Sequence, residues 1–280
     1  MSIEQRVNPA ELNISSLNLE QLPSAESSKD VPFDPVRDLS KAQWDKMERS
    51  ARKENVDLYL ASLQVIEPKR LFEKSDNKKW QKMDKFAKTI LRHCERGEMG
   101  YDNLLGNFAE MKTLFPERFS QALAEQYRER MAEALRKPKI TGRGTVDLDN
   151  VLYFKILFPG QEKDLLKDND VSLLKQDMAQ NKGGNWYMFC KSAALLKILF
   201  PEEFAKVKIT PKNWEAMKTQ LFEKLDNCQS GHDCLQYINL AEWLATMAAK
   251  EVKFTNHGME LSNNAQISQA TPAIPKIKNF

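Results

Sequence analysis

At 280 residues with 41% hydrophobic side chains, the chain is long enough for one or two domains with a buried core. Its 42 basic and 39 acidic residues leave a net charge of +3, a mixed-sign surface that argues against a dedicated phosphate binder. No run of about 18 apolar residues is present to cross a membrane, and four cysteines without a framework-like spacing suit a reducing cytosol.

Taken in order, residues 1–38 are rich in Ser, Asn, Glu and Pro, with Pro9, Pro23, Pro32 and Pro35 scattered through them, and predict a disordered leader. Within it Leu12, Ile14, Leu17, Leu19 and Leu22 form a sparse apolar ladder of the kind that folds against a partner or a groove. The start, MSIEQRVNPAEL, lacks the basic and apolar regions of a secretory signal, so the expected location is cytoplasmic.

From Ser40 a grammar sets in that recurs through the chain. Leu-Phe-Pro occurs at Leu114-Phe115-Pro116, Leu157-Phe158-Pro159 and Leu199-Phe200-Pro201, with a weaker copy at Val65-Ile66-Glu67-Pro68; the prolines stand 48, 43 and 42 positions apart. After each proline comes a second anchor with Met or Leu three residues on: Trp80/Met83, Arg128/Met131, Val171/Leu174 and Trp214/Met217, and Trp44/Met47 opens the series. Two landmarks that keep step over periods of roughly 20 to 50 residues mark a repeat architecture.

Each landmark has a local cause. Before the prolines, apolar residues recur at helical spacing, as in Val151, Phe154, Leu157 and Phe158, so one face of a helix is buried. The proline ends that helix, and Thr210-Pro211 reads as a cap and first turn of the next. Trp214, Met217 and Leu221 then share a face, and glycines such as Gly97, Gly142, Gly183 and Gly231 break the chain before the following apolar helix. The expected fold is all-α: an α-solenoid-like array of about five helical hairpins of roughly 40 residues over 39–261, between flexible termini, the second being 262–280. Val252, Phe254, Gly258, Met259 and Leu261 predict a short turn or hairpin over the end of the core.

The alternation of Leu-Phe-Pro and Trp-x-x-Met, the segment Asn185-Trp186 to Pro201, and Glu251 to Thr255 followed by Gly258 resemble a family of bacterial tandem helical-repeat proteins of unknown function. The resemblance covers residues 40 to 262 and implies the fold, without an activity, cofactor or ligand. Arg128 and Gly160-Gln161 depart from its pattern.

Candidate chemistry is sparse. Cys228, His232 and Cys234 offer thiolate and imidazole in one loop, but a structural zinc needs four ligands and the usual two-residue knuckle is absent. A redox pair and plain packing are the other readings. No Gly-x-Ser-x-Gly elbow, His-Glu-x-x-His pair or phosphate loop occurs, which predicts neither an enzyme nor a cofactor. Trp186 and Tyr187, after Gly-Gly-Asn, either begin a helix or present aromatics to a partner. Lys112, Lys155 and Lys197, each four residues before its proline, read as cations near helix C-termini. Arg136, Lys137, Lys139 and Arg143 make the densest basic loop. The expected function is a non-catalytic scaffold for a protein or peptide partner, with nucleic-acid binding through loop 136–143 as the alternative.

Overall fold

Helix starts follow the local chemistry of the chain. Thr210 accepts from the Asn213 N–H at 3.3 Å with Pro211 in the first helical position, Ser120 from Leu123 at 3.2 Å, and Asn185 from Met188 at 3.3 Å. Each satisfies a first-turn donor that has no partner within its helix. Ser40 and Gln43 do this reciprocally, each side chain accepting from the other's N–H.

The structure, a computed structural model, describes residues 32–54, 57–67, 77–137, 148–167, 169–182, 185–228, 231–256 and 258–262. The expected leader up to residue 31, the tail from 263, and loop 138–147 with Lys139 and Arg143 lie outside the described residues, as do Gly183 and His257. The helices are α1 (Pro35–Asp38), α2 (Lys41–Glu54), α3 (Asp57–Ile66), α4 (Asn77–Glu95), α5 (Asn103–Leu114), α6 (Gln121–Arg136) and α7 (Leu148–Leu157). There follow α8 (Asp170–Asn181), α9 (Trp186–Leu199), α10 (Pro201–Phe204), α11 (Pro211–Asn227) and α12 (Gly231–Ala248). Strands β1 (Glu251–Thr255) and β2 (Gly258–Ser262) pair antiparallel, Glu251 opposite Ser262 and Thr255 opposite Gly258. No helix among the described residues is long and apolar enough to cross a membrane. Residues 32–38, assigned by composition to the leader, join the fold: Asp34 caps α1 and Phe33 is only 2% exposed.

Burial sorts the long helices into two sets. Helix α11 buries a single stripe, Met217, Leu221 and Leu225, and α4 buries Met83, Ala87, Ile90 and Cys94, as helices with one face to solvent do. Helix α9 differs: from Phe189 to Leu199 it buries every residue except Lys191 and Lys197. A helix apolar on so many sides has to lie between others. Helices α3, α5, α7, α9 and α12 form this inner set, each packed on the outer helix that precedes it, from α2 on α3 to α11 on α12.

The inner helices touch in order, α3 to α5, α5 to α7, α7 to α9 and α9 to α12, and α12 then packs on α3 and α2. The last long helix thus meets the first pair, and the inner set closes a ring. The expected α-solenoid-like array is mostly helical as read from the sequence, but its two ends meet. An extended stack keeps its ends apart, whereas here they are joined, and the inner helices face a common axis.

The lysines before the prolines show how neighbours are tied. Lys112, 3% exposed, donates to the Ile156 carbonyl at 2.8 Å and the Leu157 carbonyl at 3.4 Å, which are the unpaired C-terminal acceptors of α7. Lys197 does the same for α12, donating to the Met247 carbonyl at 2.8 Å and to that of Ala249. Each ammonium therefore serves the neighbouring helix in the ring and not its own. Both contacts join C-terminal ends, so α5 runs parallel to α7 and α9 to α12. Lys155 instead bonds Glu162 at 2.7 Å and lies 5.2 Å from the Phe254 ring.

The β-hairpin seats on that same end. Strand β2 touches α3, α5 and α7, and Met259 is buried. Gly258 has φ +90° and lies so close to α5 that a Cβ there would come within 2.7 Å of the Thr113 hydroxyl. Only glycine satisfies both the left-handed backbone and the approach. The two departures from the repeat pattern also find each other, since Arg128 donates to the Gln161 side-chain oxygen at 2.8 Å.

If the lysine caps hold neighbouring helices together, Lys112→Met leaves the Ile156 carbonyl without this partner, while the Leu157 carbonyl keeps the Gln121 side-chain N–H at 3.1 Å, and destabilises the fold by about 2 kcal/mol. Denaturant midpoints of the two proteins measure this, and Lys78→Met, on the largely solvent-facing start of α4, serves as control.

Candidate functional site

Closing a ring of helices leaves space on its axis unless large side chains fill it. Here a cavity of about 310 Å³ remains, lined by all five inner helices and by Met259 of the hairpin. Distance from the prolines decides what points into it. Counting back from prolines 68, 116, 159 and 201, the third residue is Val65, Thr113, Ile156 or Ile198, and all four line the cavity. The sixth is Ser62, Glu110 or Tyr153 before the first three prolines, and the tenth is Asp149 or Lys191 before the last two, again lining residues. Offsets of this kind share one helix face.

The register also sets depth. Asp149 and Lys191, near the starts of α7 and α9, form an ion pair at 2.5 Å with side chains 40% and 29% exposed, and mark the mouth. Val65, Ile156, Ile198 and Met259 form an apolar floor under the hairpin. At 1.5 Å per residue, the seven positions from Asp149 to Ile156 span about 10 Å.

Helix α12 supplies the most polar wall. Leu235, Ile238, Leu240, Ala241, Leu244, Ala245 and Met247 are buried against its neighbours, which leaves Asn239, Glu242, Trp243 and Thr246 along the cavity. The Ser62 hydroxyl donates to the Asn239 side-chain oxygen at 3.3 Å. Burial of the Glu242 carboxyl raises its pKa to about 7, against a smaller opposing effect of the Ser62 hydroxyl, which favours the charged form. The Thr246 hydroxyl is buried, its residue 1% exposed, and has no hydrogen-bond partner among the described residues. Buried polar groups without a partner are uncommon in folded proteins, and Thr246 is also one of the residues that line the cavity.

Of the residues singled out from sequence, Tyr187 lines the cavity, its ring edge-on to Trp243 at 4.6 Å. Trp186 begins α9 and packs edge-on against Phe189 at 5.4 Å, away from the cavity wall. Arg136 and Lys137 are exposed at the end of α6, with Lys137 3.4 Å from Glu133. The ammonium groups of Lys112, Lys155 and Lys197 face carbonyls or Glu162, so these lysines add nothing to the basic loop.

The metal candidates are corrected. Cys228 and Cys234 form a disulfide across the turn between α11 and α12, with Cα atoms 5.8 Å apart, so neither sulfur is a thiolate ligand. The side chain of His232 lies outside the described residues. Among the described residues no group of three or more His, Cys, Asp or Glu side chains is placed to hold a metal. Disulfides persist mainly in oxidising compartments, so this pair also removes the cysteine argument for a reducing cytosol. Cys94 and Cys190 are free and buried.

Sequence reading missed Ser62, Glu110, Tyr153, Asn239, Glu242 and Thr246 as site residues. The signal was present in α12, where polar residues recur at helical spacing inside an otherwise apolar helix. No protein-family model, curated protein or solved structure matches this chain.

Glu242 makes stability depend on pH. Its folded pKa is raised from 4.5 to about 7, so its contribution is fully present below 4.5 and is lost as pH rises through about 7. Relative to Glu242→Gln, the wild-type protein should lose about 3 kcal/mol of unfolding free energy between those limits, read from denaturation at several pH values. The disulfide has its own check: alkylation of the unfolded protein should modify two of the four cysteines, Cys94 and Cys190, before reduction and all four after it.

Proposed function

We propose that this protein is a non-catalytic binding protein that holds a small organic ligand in its central cavity. We read its helices as five hairpins of one repeat, bent until the array meets itself. The expectation of binding without chemistry is kept, with a small ligand in the interior in place of a protein or peptide partner. The observation that carries this reading is the polar wall of α12, where Asn239, Glu242 and Thr246 line a cavity whose floor is apolar. Cavities of about 300 to 1,000 Å³ with a few convergent polar groups are the usual form of a small-molecule site.

A protein partner is the second reading, and one observation favours it. Phe86 and Met99, 57% and 44% exposed, line a shallow groove with Ile90 and Asn107 between α4 and α5. Exposed apolar surface in a groove is typical of contact sites. Among the described residues nothing comparable favours nucleic acid.

Filling the cavity tests the first reading against the second. Ala109→Phe places a ring in the axial space, and the variant should lose the stabilisation by bound small molecules that thermal shift detects in the wild type. Phe86→Asp should leave that stabilisation intact. Equal responses from wild type and Ala109→Phe would sink the cavity as the site.

A further inference from the structure

Resting on the cavity reading, we propose that the ligand is an organic ammonium compound, its cation set at mid-depth beside Glu242 and its carbon body against Tyr153, Tyr187 and Trp243. Charge is the first argument. Lys191 is the one ammonium among the residues that line the cavity, and Asp149 holds it at 2.5 Å, so no lining cation is left for the Glu242 carboxylate. A cation restores balance, whereas an anion adds to the excess. The second argument is desolvation: the charged form of Glu242 is disfavoured by what surrounds it, and an ammonium beside it relieves that penalty.

The aromatic lining points the same way. Rings of Trp and Tyr attract cations through their faces, by about 0.5 to 2 kcal/mol each, and Tyr187 and Trp243 line the wall together. With about 310 Å³, the space equals the liquid volume of roughly ten waters, which suits an amine of similar size and excludes a polymer segment.

The test uses the full chain at pH 8, where Glu242 is charged, and three probes of one shape: 2-phenylethylammonium, 2-phenylethanol and 3-phenylpropanoate. Calorimetric or ligand-observed NMR titration should show the ammonium binding at least tenfold more tightly than the alcohol, and the carboxylate more weakly still. Glu242→Gln should reduce ammonium affinity at least tenfold and leave that of the alcohol unchanged. If the alcohol or carboxylate binds as well as the ammonium, the ligand class is wrong while the cavity reading survives. Binding by none of the three overturns both. The comparison of probes on the wild type decides the matter even if Glu242→Gln does not fold.

Discussion

The structure depends on one helix having no outside. Helix α12 touches α2, α3, α9 and α11, and four neighbours leave it only the axial side free of contact. Apolar residues fill most of the sides that meet a neighbour, so burial both closes the ring and leaves the polar residues Asn239, Glu242 and Thr246 along the cavity, where Asn239 also accepts from Ser62 of α3. Site and closure are thus two aspects of one packing constraint. An inner helix with a second polar face could not complete the ring, because that face would be pressed dry against a neighbour.

Buried lysines follow from the same arrangement. Parallel inner helices bring their C-terminal carbonyls together at one end, where water is excluded by the hairpin and by the ring itself. Those acceptors must be satisfied, and an ammonium group on a long stem reaches from one helix to the next. Burial lowers the pKa of Lys112, and that of Lys197 to about 8, which records how dry these positions are. At the opposite end Asp149 sits in the first turn of α7, where a carboxylate complements the positive helix terminus.

Much of this was legible in the residues. Alternating apolar and one-sided helices, the caps at Thr210 and Ser40 and a closing hairpin near Gly258 all have local causes that a sequence displays. Ring closure has none. It depends on the accumulated angle between successive helix pairs and on contact between α2 and α12, almost two hundred residues apart, and no short spacing reports either. The lysine offsets were read correctly as lying near helix C-termini, but an offset says where a side chain leaves its helix and not which helix stands opposite. The cavity residues share a register that can be counted from the prolines, yet they read as ordinary surface positions until closure turns that face inward. Cys228 and Cys234 were recognised as a pair, and only the geometry of their turn chooses a disulfide over a metal.

The hairpin that floors the cavity follows the closing helix directly, through Ala249 and Lys250, and Lys250 is tied to Ser262 by a backbone hydrogen bond. During synthesis, therefore, the container is finished last. Until the segment from Gly231 to Ser262 has left the ribosome, the earlier helices have neither a partner for the free edge of α3 nor a base beneath them. The nascent chain is until then an unclosed arc with its greasy interior facing water, and any ligand waits for that segment to emerge.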